Sequence, residues 1–226
     1  TKLSDAIKRQ NELYLAQNVE VSNLFYEGRP LNAIYAVSSA GIDPSTGNEI
    51  FYDRDGNMTT TWNANDKVYL GSSTPLWQGN FRTMLMYKNF TFNVSFGYHW
   101  GGKTYNQTLR DRVEVTTSEV GQHNVDSRVL SDRWLKPGDV TFFSNFSPYS
   151  RKATSRYVFD DRLLELQSVS LQYRWNNAWL RDNIGLESMV FGLNASDLFY
   201  WSSVKNERGT DYPYARNVQC SVTLTF

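Results

Sequence analysis

The sequence is short of cysteine, of histidine and of long apolar runs. Its one cysteine, Cys220, has no internal partner for a disulfide and no second thiol for a cysteine-rich metal site. No apolar stretch approaches the roughly 18 residues that a membrane-spanning helix needs. Neither sign of charge is in excess, because 23 basic residues balance 23 acidic ones. No net field attracts a polyanion, so we predict no nucleic-acid partner.

What the sequence does contain is alternation of apolar and polar residues. In residues 91–100 the apolar side chains fall at every second position from Phe92 to Trp100, and in residues 217–226 they do so from Val218 to Phe226. This period of two is typical of β-strands. Further strands are predicted in residues 33–42, 81–88, 168–175 and 189–201, and a helix in residues 3–17. The pattern therefore predicts an all-β chain of six strands.

The connections between these strands differ in length. Residues 88–90 and 176–185 make short connections, whereas residues 43–78 and 101–159 make very long ones. Short turns on one side and long loops on the other are typical of an outer-membrane β-barrel, which the last strand would enter from outside and end in the periplasm. Alternation alone leaves a soluble β-sandwich open. The polar faces carry small uncharged side chains rather than Lys and Glu, which favours a barrel with a wet lumen and an apolar face toward outer-membrane lipid.

Two short motifs suggest ligand sites. Residues 97–104 match the phosphate-binding loop pattern, but the alternation of a strand continues into them, so we do not predict a nucleotide site. Asp53, Asp55 and Asn57 resemble the start of a calcium loop whose twelfth position is Ala64 instead of an acid. An Asp-Gly hairpin turn is the simpler interpretation, with a structural calcium ion as the alternative. No catalytic arrangement surrounds the histidines, so we predict no enzyme activity and no other cofactor.

Several short stretches follow one another in order across nearly the whole chain. They are EGRPL at 27–31, AGIDPSTG at 40–47, YDRDGN at 52–57, LGSSTP at 70–75, YKNF at 87–90, GKTYN at 102–106, SDRW at 131–134, RYV at 156–158, residues 164–173 and 194–201, YPYAR at 212–216, and the terminal Phe226. Together they resemble the SusC/RagA family of TonB-linked outer-membrane proteins.

The resemblance implies an antiparallel transmembrane β-barrel of about 22 strands, of which this chain would supply the C-terminal six or so. Residues 1–30 are then expected to be a helix and a periplasmic connection. Residues 43–78 and 101–159 are expected to be long extracellular loops, and residues 202–213 a shorter one. The plug domain is absent from these 226 residues.

The function implied by the resemblance is TonB-dependent import of glycans, oligosaccharides or peptides across the outer membrane of a Gram-negative, Bacteroidetes-like cell. The implied partners are a SusD-like surface lipoprotein, the TonB complex through the missing N-terminal part, and the barrel-assembly machinery.

Candidate residues follow from both lines of argument. The positions nominated for substrate contact are His99, Lys103, Trp134 and Arg174. The positions that resemble the C-terminal signal for barrel assembly are Val218, Val222, Leu224 and Phe226. The alternative function is a soluble β-sandwich that binds carbohydrate by stacking on Trp62, Trp77, Trp134 and Tyr149.

Overall fold

The structure is a computed structural model that describes residues 2–20, 24–122, 124–147, 151–205 and 216–226. These residues divide into two compact units. The loop unit contains the described parts of residues 1–74 and 102–160, and the sheet unit those of residues 75–101, 161–206 and 210–226. Within these ranges, no helix has both the length and the apolar composition to cross a membrane.

The elements follow one another in this order: α1 (Asp5–Ala16), β1 (Ala33–Val37), β2 (Ser39–Ile42), β3 (Glu49–Tyr52), β4 (Met58–Thr59), β5 (Lys67–Ser72), β6 (Trp77–Tyr87), β7 (Phe90–Tyr105), α2 (Thr117–Val120), α3 (Arg128–Ser131), β8 (Val158–Trp175), α4 (Ala178–Ile184), β9 (Ser188–Ser202) and β10 (Asn217–Thr225). The predicted helix and all but one of the predicted strands are confirmed. The exception is residues 33–42.

The sheet unit is built on one five-stranded sheet in the order β10-β9-β8-β7-β6, with antiparallel pairing. Residues 33–42 do not contribute a sixth strand. They form β1, which pairs with β5, and β2, which pairs with β3. The physical reason is burial, because nearly every residue of β1 is buried and the segment has no exposed face. It therefore packs inside the loop unit instead of forming a two-faced wall.

The apolar face of the five-stranded sheet is exposed. Paired positions place Tyr173, Phe191 and Val222 in one row across β8, β9 and β10. Elsewhere on this face Phe81 is 60% exposed and Phe199 is 59% exposed. A soluble sandwich would bury such a face under a second sheet. Among the described residues of the sheet unit there is no second sheet, so the sandwich alternative is not supported.

The tryptophans that this alternative would use to stack on carbohydrate do not form a common exposed surface in the described residues. Trp62 is buried, and its indole N–H donates to the carbonyl of Ala153. Trp77 lies on the apolar face of the sheet, opposite Trp100. Trp134 packs on Gly47, and Tyr149 lies outside the described residues.

The loop unit holds the three buried hydrophobic clusters found in the described residues. One is formed by Val37, Phe51, Trp62 and Ala64. A second is formed by Leu109, Val113, Phe143 and Tyr157. The third is formed by Leu24, Ala33 and Tyr35. The described parts of segments 43–74 and 102–160 therefore form a folded body with buried clusters of its own.

A buried ion-pair network joins these two segments. Arg156 places one guanidinium nitrogen 2.7 Å from Glu114 and the other 3.0 Å from Glu49. Glu114 also accepts hydrogen bonds from the Tyr157 hydroxyl and from Ser144. Burial alone would raise the pKa of Glu114, but Arg156 and these donors hold it below its ordinary value. The carboxylate is therefore charged, and its oxygens are fully hydrogen-bonded.

Helix α1 packs in the same unit. Leu15 contacts two of the hydrophobic clusters, and Asn18 accepts a hydrogen bond of 2.6 Å from the backbone of Ala64. Lys67 donates to the carbonyl of Val19. A periplasmic position for residues 1–30 and an extracellular position for residues 43–78 are therefore incompatible with this packing. The predicted loop at 202–213 lies mostly outside the described residues.

The network predicts a cost for a nearly isosteric change. Glu114→Gln should destabilise the loop unit by about 3–5 kcal/mol, because it leaves the Arg156 guanidinium without one of its buried partners. Hydrogen exchange of residues 105–115 and 142–157 in the full-length protein would measure the loss of protection. The matched control is Glu12→Gln, which makes the same change on an exposed residue of α1. Equal protection in both variants would contradict the role of the network.

Candidate functional site

The polar face of the five-stranded sheet is the candidate site. Ser168, Ser196 and Asn217 pair across β8, β9 and β10, and the next row is Ser170, Asn194 and Gln219. Toward the opposite edge of the sheet, and on the same face, Arg82 of β6 pairs with Ser95 of β7, and Met84 pairs with Asn93. Strand pairing thus gathers polar side chains from all five strands on one face, and most of them are small and neutral.

Side-chain hydrogen bonds link these rows. Asn93 donates to the Ser170 hydroxyl over 3.2 Å, and the Ser95 hydroxyl donates to the side-chain carbonyl of Gln167 over 3.3 Å. Gln167 in turn donates to Glu165 over 2.8 Å. These contacts fix the polar side chains of β7 against those of β8.

This face is concave and borders an open groove of about 480 Å³. Amide and hydroxyl groups both donate and accept hydrogen bonds, so the surface suits sugar hydroxyls or peptide amides equally well. A polar face opposite an exposed apolar face has the arrangement of a barrel wall between lumen and lipid. It supplies a hydrated surface on which most side chains are neutral hydrogen-bonding groups.

Two of the nominated substrate contacts lie on this sheet, far apart. His99 Nε2 lies 3.2 Å from Asp161 Oδ2, though not in hydrogen-bond geometry. The backbone N–H of Arg174 donates to Asn89. Asn89 and His99 are ten residues apart along the strand direction, a span of about 33 Å. The structure does not bring His99 and Arg174 together.

The other two nominated contacts lie in the loop unit and make structural contacts. Lys103 pairs with Asp160 over 2.8 Å, and its aliphatic chain packs on Gly71. The Trp134 indole donates to the carbonyl of Pro44 over 2.9 Å. Substrate contact by any of the four stays a prediction.

The calcium candidate is an Asx-stabilised hairpin turn in the structure. Asp53 Oδ1 accepts the backbone N–H of Asp55 and of Asn57, and Oδ2 accepts the Asn57 side chain. Hydrogen bonds from Asn57 hold the pKa of Asp53 below its ordinary value. Among the described residues, no three His, Cys, Asp or Glu side chains converge on a common point. A structural calcium ion stays a prediction.

The assembly-signal candidates share one face of β10. Val218, Val222 and Leu224 pair with apolar positions of β9 and are exposed, and Phe226 at the end of the chain is exposed as well. The geometry is that of a lipid-facing edge. Recognition by assembly machinery stays a prediction.

Sequence reasoning missed Arg82 as a site residue. The strand prediction began at residue 81, and Gly79, Met84 and Met86 blur the alternation of β6. The unbroken pairing of β6 with β7 is what assigns Arg82 to the polar face.

Comparison with known proteins shows which proteins this chain is similar to. No family model matches the chain. The chain is 28% identical over 191 residues to TonB-dependent receptor P3 of Formosa agariphila, covering 84% of this chain and 17% of that protein. It superposes on the RagAB peptide importer in the open-open state with a TM-score of 0.73 and 20% identity, over 91% of this chain and 23% of that one. A RagAB peptide transporter structure gives a TM-score of 0.72 and 22% identity, over 91% of this chain and 24% of that one.

The fold is that of a segment of an antiparallel outer-membrane β-barrel of the TonB-linked transporter type, as predicted. The predicted resemblance to the SusC/RagA family is confirmed by the sequence match to a TonB-dependent receptor and the structural match to RagAB. The chain spans less than a quarter of the length of these relatives.

The contact between Trp134 and Gly47 gives a second prediction. Gly47 has φ of +73°, and a Cβ there would overlap the Trp134 ring. Gly47→Ala should therefore cost about 1 kcal/mol in backbone strain and a further ~1–3 kcal/mol in overpacking. Hydrogen exchange of residues 43–48 and 134–145 would report the loss.

Gly56→Ala is the matched control, because Gly56 has φ of +85° and nothing lies within 4 Å of the place that a methyl group would take. It should lose only the strain contribution. Equal destabilisation of the two variants would show that the Trp134 contact contributes nothing.

Proposed function

We propose that this chain is part of the barrel wall and the outer loops of a TonB-dependent importer in a bacterial outer membrane. The observation that supports it is the two-faced sheet, with an exposed apolar face toward lipid and a continuous polar face toward a wet lumen. The named relatives are a receptor and importers, not enzymes. The cell would be Gram-negative and Bacteroidetes-like.

The orientation follows from where the chain leaves the sheet. The turn at Lys88 and the α4 connection close one end of the strands. The segments of the loop unit join β6, β7 and β8 at the opposite strand ends. We assign the short connections to the periplasm and the whole loop unit, α1 included, to the outside, where barrels carry their long loops.

The cargo is an oligosaccharide or a peptide. The polar face suits both, since its amides and hydroxyls pair with sugar hydroxyls and with peptide groups. A SusD-like lipoprotein would meet the loop unit from outside. The TonB complex would act through a part of the full-length protein other than these residues, and the barrel-assembly machinery would read the β10 edge.

Uptake by living cells tests this function. Cells that carry the full-length protein should accumulate a fluorescent oligosaccharide or peptide cargo only when TonB is active, because import against a gradient needs energy from the inner membrane. Deletion of TonB should abolish accumulation while the protein stays in the outer membrane. The purified protein should also migrate faster on gels before boiling than after it, as folded barrels do.

Two results would overturn the proposal. One is accumulation that does not depend on TonB. The other is a full-length protein that partitions into the aqueous phase of a detergent extraction and whose gel mobility is unchanged by boiling.

A further inference from the structure

Helix α4 brings a second tryptophan to the end of the apolar face. Trp175 is the last residue of β8 and lies on the same side of the sheet as Tyr173 and Phe191. The ring of Trp179, in the first turn of α4, stacks on the ring of Trp175, with the ring centroids 6.0 Å apart and an interplanar angle of 3°. Trp179 is 52% exposed. The two indoles therefore continue the apolar face past the end of the strands.

Both ends of α4 are capped, which fixes the position of Trp179. At the N-terminus the Asn177 side chain accepts the backbone N–H of Leu180 over 3.1 Å. At the C-terminus Gly185 has φ of +74°, and its backbone N–H donates to the carbonyl of Arg181 over 3.2 Å. A helix this short is marginal by itself. The caps and the fully buried Leu180 hold it against the sheet.

The elements on both sides of α4 belong to this chain. The backbone N–H of Arg174, at the end of β8, donates to the carbonyl of Asn89 in the turn between β6 and β7. On the other side, the backbone N–H of Glu187 donates to the carbonyl of Thr225 at the end of β10. Further barrel strands would join beyond β6 and β10, since β8 and β9 pair directly. A plug would lie in the lumen, on the polar side of the sheet. The outward exposure of the two indoles is therefore independent of both.

The chemistry of α4 suits the boundary between hydrocarbon and water. An indole combines a large apolar ring with an N–H donor, and tryptophan is enriched at membrane interfaces for this reason. Arg181 lies about 200° around the helix from Trp179 and is exposed. The helix thus turns an indole toward the side of the apolar face and a charge away from it. Because the indoles are continuous with the apolar face, lipid that covers that face also meets them.

We propose that Trp175 and Trp179 lie in the phospholipid head-group layer at the periplasmic surface of the outer membrane, and that α4 is an interfacial anchor that sets the depth of this wall in the bilayer. The rings contact the upper acyl chains, and the indole N–H groups donate to head-group oxygens. The inference rests on the wall and the orientation of the proposed function. It goes beyond them by assigning a lipid-binding surface to a connection between strands.

Fluorescence quenching in phosphatidylcholine vesicles tests this inference. The full-length protein, with Cys220→Ser and every other cysteine removed, carries one cysteine-linked fluorophore at a time. Asn183→Cys places the fluorophore one helical turn from Trp179 and keeps both indoles. Leu171→Cys places it on the apolar face of β8, and Arg181→Cys on the opposite side of α4. Gel mobility before and after boiling confirms that each variant is folded.

The three positions should differ in what quenches them. The fluorophore at position 183 should lose more fluorescence to a nitroxide on the lipid head group than to one in the middle of an acyl chain. The fluorophore at position 171 should show the reverse order. At position 181, iodide on both sides of the membrane should quench and neither lipid should. Adding Trp179→Ala should shift position 183 from head-group quenching toward iodide, whereas Trp179→Tyr should keep most of the head-group quenching, because tyrosine is also an amphipathic ring.

Three results at position 183 would overturn the anchor: quenching by iodide alone, quenching by neither lipid nor iodide, and quenching chiefly by the mid-chain nitroxide. With mid-chain quenching kept at position 171, each of them would leave the lipid-facing wall intact. Loss of mid-chain quenching at position 171 would instead contradict the wall of the proposed function. Uptake that persists without TonB would overturn import and leave the anchor standing.

Discussion

The Arg156 guanidinium, held between Glu49 and Glu114, is the interaction on which the loop unit depends. These partners come from distant parts of the chain, and all three side chains are at least nine-tenths buried. Their attraction acts in a medium that screens charge weakly, so each partner is costly to lose. Burial alone would lower the pKa of Arg156, but Glu49 and Glu114 raise it above its ordinary value. The network therefore stays ionised and keeps the segments 43–74 and 102–160 in one folded body.

The sheet unit is governed by a different constraint, namely that its apolar face has no protein to cover it among the described residues. Its strands leave the apolar face exposed, with Phe81, Phe199 and Val222 each more than half exposed, and its polar face hydrated. In water this arrangement would be unfavourable by about 25 cal/mol for each Å² of apolar surface. In a bilayer the same face is in its preferred medium, and the backbone groups are satisfied by the strand ladder. The two units are thus stabilised in different ways: the loop unit buries its apolar side chains in its own core, and the sheet unit turns them toward lipid.

The sequence predicted the wall far better than the loop unit. Residues 91–100 of β7 and the whole of β10 alternate without interruption, and each segment has one polar and one apolar face, so a period of two identifies them. Strand β1 has no wet face, and β3 and β4 are too short for periodicity to appear. The contacts of Arg156 join residues 107 and 42 positions apart in the chain, a relation that no local pattern encodes.

Site residues, too, could be predicted only where the strand that carries them alternates clearly. The polar face was predictable because Asn93, Ser95, Asn217 and Gln219 lie in clearly alternating strands. Arg82 was missed because β6 alternates poorly and only its pairing with Ser95 reveals its side. Trp134 was nominated for its residue type, and in the structure its ring packs against the turn at Gly47.

The central claim is that one face of this sheet meets lipid and the other meets water. Cys220 lies on the apolar face of β10 and Ser221 on the polar face, over Gly192. In intact membranes a charged thiol reagent should leave the native Cys220 unlabelled. It should label a Ser221→Cys variant made in a Cys220→Ser background. Equal labelling of the two positions, or labelling of Cys220 alone, would contradict the claim.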